Sequence, residues 1–354
     1  MINRILFVGL LAIATLSASA QSGMVKSDEF HFVSLEANLV GDSPNRSILV
    51  YLPPGYERQK KTRYPVVYLL HGFNGYGVGN KGWFRERGNF NVEAISRLIT
   101  EKKISPMIIV MPDGSNRYGG SMYTNSITTG NWEDYIVREM VAFIDKNYQT
   151  LPKAESRGIA GHSMGGYGAL KIAMKHPDVF GSVFGSSPCC MTYMPPAVTL
   201  PSLIAAKKLT SFQEADKAPF GVRVSFAFAA AWSPNPMNPP FFSDYPISEN
   251  SADGERSAAV LARWQANIPT YMVDQYVTNL RRLRGIAFSA GTQEVPLQDS
   301  NRQFADALKR NRIDHTFEVF DGGHTDKTRE RIETSMLPFF SRTLVFQNPA
   351  AKSR

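Results

Sequence analysis

The sequence predicts an α/β architecture, a mostly parallel sheet with helices on both faces. Three observations lead there. Short, continuously apolar runs such as Pro65–Leu70 and Met107–Met111 read as strands buried on both sides. Segments with helical spacing separate them, so strand and helix alternate along most of the chain. A Gly-x-Ser-x-Gly pattern, Gly161-His162-Ser163-Met164-Gly165, falls where an apolar strand gives way to a helix.

The elements follow in order. Glu29–Val40 and Arg46–Leu52 read as two N-terminal strands joined by the turn-forming Gly41-Asp42-Ser43-Pro44. A helix over Asn91–Lys102 separates the third strand, Pro65–Leu70, from the fourth, Met107–Met111. Trp132–Tyr148 is a second helix, with Ile136, Met140, Phe143 and Ile144 on one face. Next come a strand at Arg157–Gly161, a helix at Gly165–Lys175 and a strand at Val179–Gly185. The order resumes with a strand at Gly285–Ala290, a helix at Asn301–Asn311, a strand at Thr316–Phe320 and a helix at Lys327–Phe340. In such a sheet, ligands bind beyond the carboxyl ends of the strands. Residues that follow strands therefore carry the most information.

Residues 187–284 break the rhythm, because one crossover helix would suffice there. The segment is rich in proline and aromatics between Trp232 and Phe242, with helical stretches near Leu203–Ala215, Ala252–Ala266 and Met272–Leu283. It reads as a cap or insertion between the sixth and seventh strands of a single domain covering 28–345. A structural wrap around the sheet edge is the alternative.

At the N-terminus, Arg4 precedes the uncharged apolar stretch Ile5–Leu16, and Ala18-Ser19-Ala20 supplies small residues for cleavage. Residues 1–20 are expected to be a signal peptide, and the mature chain to be secreted or periplasmic. Twelve helical residues reach only about 18 Å, too short to remain as a membrane span. Cys189 and Cys190 are adjacent, and bridging neighbours strains the ring they form, so two free thiols are expected. The net charge is +8, yet the basic residues are scattered, which reads as a solvated surface and not a nucleic-acid interface. The histidines are too dispersed for a metal site and no nucleotide fingerprint appears, so no cofactor or metal is expected.

The chemistry centres on Ser163. A serine on a tight strand-to-helix turn lifts its hydroxyl above the sheet, with the Met164 N–H at the positive end of the following helix. A hydroxyl is a poor nucleophile near neutral pH and needs a base. Of six histidines only His324 follows the last strand, in Asp321-Gly322-Gly323-His324. The acid is sought after the strand Gly285–Ala290. Asp299 is the alternative because many triads use aspartate, but it sits nearer the next helix, where a carboxylate has an ordinary dipole role, so Glu294 is favoured. Leu70-His71-Gly72-Phe73-Asn74-Gly75 offers the second oxyanion donor, Phe73 N–H first and Gly72 as runner-up. Cys189, Trp232 and Phe242 are expected to meet substrate from the insertion.

The set His71-Gly72, Met111-Pro112-Asp113-Gly114, Trp132-Glu133-Asp134-Tyr135, Gly161 to Gly166, Gly291-Thr292-Gln293-Glu294 and Gly323-His324 resembles the esterase D-like family. That family includes S-formylglutathione hydrolases, feruloyl and acetylxylan esterases, and mycolyltransferases. The resemblance runs from about residue 30 to 342, apart from Cys189 to roughly Ile268. It implies the α/β-hydrolase fold and carries the family's serine, acid and histidine onto Ser163, Glu294 and His324. Glutamate departs from the commoner aspartate, a departure the mycolyltransferase branch shares. The expected function is a serine carboxylesterase acting on small-molecule or polysaccharide-linked esters, aromatic ones included. An acyltransferase and a non-catalytic binding protein are the alternatives.

Overall fold

The computed structural model describes residues 22–73, 79–84, 88–192, 198–247 and 254–347. The expected signal peptide lies outside them, as do Asn74 and Gly75. Eight strands form one sheet: β1 Met24–His31, β2 Asn45–Leu52, β3 Val66–Leu70, β4 Ile108–Pro112, β5 Arg157–His162, β6 Ser182–Ser186, β7 Gly285–Gly291 and β8 Thr316–Phe320. Their spatial order is β1-β2-β4-β3-β5-β6-β7-β8. β2 is antiparallel to both neighbours, and every other pairing is parallel. Among the described residues no helix is long and apolar enough to cross a membrane.

The buried strands explain the continuous apolar runs. Every residue of β3 and β4 is buried. Val66, Tyr68 and Leu70 pack into one core, and Val67 and Leu69 into the core on the opposite face. Successive side chains point to opposite faces, so a strand covered on both sides needs apolar residues throughout. The first core holds helix Met164–Lys175 and the helices of the 187–284 segment; the second holds the C-terminal helix Leu337–Thr343.

Two elements differ from expectation. The first strand runs Met24–His31, not Glu29–Val40, and a single helical turn, Val33–Leu35, follows it. The cause is distant in sequence. The Glu139 carboxylate accepts the backbone N–H of Val33 at 2.8 Å and of Ser34 at 2.7 Å, which removes both from any strand ladder. The second is the helix Phe220–Trp232, which sequence periodicity did not reveal. Its residues from Val224 to Trp232 are all buried, and a helix apolar on every side has no amphipathic period to detect.

Smaller shifts occur at element ends. The helix expected at Asn301–Asn311 already starts at Val295, with Pro296 in its first turn where the missing N–H costs nothing.

Candidate active site

Ser163 sits between β5 and helix Met164–Lys175 with φ 56° and ψ −117°. A non-glycine residue there is strained, and the surroundings must hold it. A Cβ added at Gly161 would lie 2.2 Å from the Gly165 carbonyl carbon, and one at Gly165 would lie 2.1 Å from the Leu70 oxygen. β3, β5 and the helix therefore converge at a spacing that admits no side chain. Backbone bonds complete the clamp. Ser163 N–H donates to Ser186 at 2.9 Å, and the Ser163 carbonyl accepts from Cys189 N–H at 3.2 Å.

The turns after β7 and β8 are stitched together. Thr292 N–H donates to the Phe320 carbonyl at 2.9 Å, and Gln293 N–H to Gly322 at 3.0 Å. This brings His324 over the edge. Its Nε2 lies 2.9 Å from Ser163 Oγ, and its Nδ1 lies 2.6 Å from Glu294 Oε2. Glu294 Oε1 accepts from Gly291 N–H at 2.7 Å and from Ser187 Oγ at 2.6 Å. The carboxylate is almost fully buried, so these donors replace the water it has lost. Asp299 is an exposed residue within helix Val295–Arg310, and His324 Nδ1 already has Glu294 as its partner.

Ser187 is a site residue that sequence reading missed. Nothing local marks it. Its relation to Glu294 exists only because β6 and β7 are neighbours in the sheet.

His162 lies with its ring 4.8 Å from that of His324. Burial, and secondarily the nearby His324, push its pKa down to about 3. It is neutral at working pH and puts no second positive charge beside His324.

Met164 opens the helix that follows the serine. A Cβ added at Gly72 would lie 3.2 Å from Ser163 Cβ, so the exit of β3 runs alongside the hydroxyl. A cavity of about 190 Å³ opens there, walled by Gly72, Phe73, Trp83, His162, His324 and Thr325. A larger cavity of about 730 Å³ lies within the insertion, between Leu209, Phe241, Asp244 and Arg256. None of Ser163, His324 or Glu294 borders it, so the smaller cavity is the one placed for chemistry. Among the described residues no three His, Cys, Asp or Glu side chains cluster as metal ligands.

The residues expected to meet substrate fall elsewhere. Trp232 is 2% exposed and packs on Phe228 at 4.4 Å, Trp264 at 5.5 Å and Tyr167 at 5.8 Å. It is core, which corrects its expected role. Phe242 is half-buried and absent from the walls of the Ser163 cavity, and its carbonyl accepts from Thr128 Oγ1 at 2.7 Å. Cys189 N–H donates to the Ser163 carbonyl, and Cys189 is absent from the walls of the Ser163 cavity. The expectation of free thiols is also corrected, because Cys189 and Cys190 form a disulfide. Ser187 (φ 43°) and Cys190 (φ 64°) both have left-handed backbone.

The sequence profile of the family described as "Putative esterase" matches residues 43–329. The chain belongs to that family. An esterase of Mycobacterium tuberculosis is 33% identical over 160 residues, 44% of this chain and 31% of that protein. An endo-1,4-beta-xylanase/feruloyl esterase of Xylanibacter ruminicola is 32% identical over 158 residues, 44% of this chain and 21% of that protein. The chain thus spans less than a third of the length of these curated relatives. Among solved structures, a ferulic acid esterase superposes with a TM-score of 0.62 at 22% identity, covering 92% of this chain and 100% of that one. An S-formylglutathione hydrolase from Agrobacterium tumefaciens gives 0.58 at 19% identity, covering 92% and 98%. At these identities the likeness is one of fold, and the fold is that of the α/β hydrolases.

Proposed function

We propose that this member of the esterase family is an exported serine carboxylesterase, with Ser163 as nucleophile, His324 as base and Glu294 as the acid that orients it. The observation that carries the reading is the unbroken hydrogen-bonded relay from Ser163 Oγ through His324 to Glu294. Attack by Oγ on the ester carbonyl passes the hydroxyl proton to Nε2, while the carbonyl π pair moves onto oxygen. The N–H groups of Met164 and Phe73 hold that oxyanion. Its collapse releases the alcohol, which leaves with the proton from His324. Water then attacks the acyl-enzyme by the same route and frees the acid.

The substrate class follows from what flanks the serine. The cavity suits a small acyl group or one flat ring, with Phe73 and Trp83 as apolar walls. The Xylanibacter ruminicola relative, named for xylanase and feruloyl esterase activities, extends the reading to feruloyl-type esters on polysaccharide. The His324 side chain is 37% exposed, which favours water over a second alcohol as acyl acceptor. Acyl transfer is the second reading. We further propose that residues 1–20 are removed on export and that 28–345 is one domain with 187–284 inserted.

The test is turnover of p-nitrophenyl acetate, butyrate and octanoate, of methyl ferulate and of acetylated xylan, with product analysis in added glycerol. Free acid as the main product supports hydrolysis, and glycerol esters would move the reading to transfer. No turnover, together with no labelling of Ser163 by a fluorophosphonate, overturns it.

A further inference from the structure

His71 is the first residue after β3, and its ring is buried. Two contacts define the ring's proton. Gly114 N–H donates to Nε2 at 2.8 Å, so Nε2 presents its lone pair; a proton there would set two N–H groups head to head. The proton therefore sits on Nδ1, which donates to the Gly72 carbonyl at 2.8 Å. Asp113 Oδ1 lies 3.5 Å from Nε2, and a proton on Nε2 for that contact would be the competing arrangement. The distance is long for a hydrogen bond, and it would cost the shorter Gly114 bond.

The sheet order gives this contact its meaning. β4 lies on one side of β3 and β5 on the other. Gly114 follows β4, so the imidazole leans toward the β4 side and holds the Gly72 carbonyl there. A trans peptide carries its C=O and N–H in opposite directions. The N–H of the same peptide belongs to Phe73, and it is turned toward β5, whose next residue is Ser163. The close approach of Gly72 to Ser163 Cβ places the peptide at the right spot.

We propose that His71 is a positioning residue for the oxyanion hole, clamping the Gly72–Phe73 peptide so that Phe73 N–H faces the reacting carbonyl. The proposal rests on the esterase reading above. Glycine at 72 leaves the unclamped peptide free to rotate. A rotated peptide would withdraw a donor and present a carbonyl oxygen to the developing negative charge.

Two substitutions separate the roles of the two ring nitrogens. His71→Asn places an amide N–H near the position of Nδ1 and lacks the acceptor for Gly114. His71→Gln reaches the position of Nε2 and lacks the donor for Gly72. On p-nitrophenyl acetate, His71→Asn is expected to keep kcat within about fivefold of wild type. His71→Gln is expected to lose roughly 10²-fold or more with KM little changed, the cost of one oxyanion donor. The reverse ranking would overturn the clamp and assign His71 to holding Gly114. Equal losses accompanied by equal falls in melting temperature would overturn it too. Nitrogen NMR of ¹⁵N-histidine-labelled protein, with His71 assigned by substitution, adds an arm that needs no turnover. Nδ1 protonated and Nε2 bare is expected, and the opposite tautomer overturns the clamp. Should the wild type hydrolyse no ester, the esterase reading fails while the tautomer still decides whether the peptide is held.

Discussion

The carboxyl edge of the sheet and the 187–284 segment keep their shapes by opposite means. At the edge, backbone meets backbone: Gly161 and Gly165 stand where an added carbon would overlap neighbouring main chain. In the segment, side chain meets side chain. Phe226 packs on Phe241 at 4.4 Å, and Trp232 is enclosed by Phe228, Trp264 and Tyr167. The edge has no room for another atom, and the segment has none to spare. Reactive groups belong on the first kind of support, because hydrogen-bond distances near 2.6–2.9 Å tolerate little drift.

The largest expected effect separates chemistry from stability at the edge. Ser163→Ala and His324→Ala are each expected to lower kcat by about 10³-fold or more, and the double variant to fall little further, because the members of the proposed triad act as a unit. Glu294→Gln belongs with them, since the amide cannot stabilise the imidazolium, whereas Asp299→Asn leaves kcat nearly unchanged. Melting curves remain at the wild-type position for Ser163→Ala. A rate loss at Asp299 exceeding that at Glu294 would reassign the acid.

Removing atoms from the segment has the next effect. Trp232→Ala costs about 3–5 kcal/mol of stability, read as a lower melting temperature. The ratio of rates on methyl ferulate and p-nitrophenyl acetate stays constant. A selective rise in KM for the ferulate with an unchanged melting curve would return Trp232 to the substrate pocket.

Adding an atom to the edge sharpens the contrast. Gly165→Ala destabilises by about 3 kcal/mol, because the carbon meets the Leu70 carbonyl and not a movable side chain. Kinetics of the surviving folded fraction should show kcat falling with it. Tolerance of alanine with full activity would mean that the edge relaxes more easily than its packing implies.

The smallest effect is on acid stability. His162 titrates near 3 in the fold, against 6.5 when unperturbed, because burial disfavours its charge. Between these values the unfolded chain binds more protons, so this group's destabilising contribution is absent above pH 6.5 and grows as pH falls toward 3. Glu133 contributes in the lower part of that window only. Burial would raise it, but His176 and nearby lysines hold it at about 2, against 4.5 unperturbed. His162→Leu should therefore flatten the pH dependence of the melting temperature in the upper half of the window. An unchanged slope there would show that another group titrates.

Much of the fold and of the candidate site is legible in the sequence. β8 was read with its observed ends, and β3 and β4 within a residue or so, because a strand buried on both faces must be apolar throughout. That Ser163, His324 and Glu294 converge was legible because a parallel sheet brings the residues just after its strands to one edge, at positions countable along the chain. What the sequence determined by itself was local: strand composition, glycines at the turn, and the order of serine, acid and histidine. Only the tertiary structure decided that Glu139 ends β1, that Ser187 reaches Glu294 and that Trp232 is core. Each depends on elements that are far apart in the chain and adjacent in space, where one carboxylate captures another segment's N–H or one ring fills another's gap. A linear pattern records what each residue prefers. It does not record which neighbour the fold supplies.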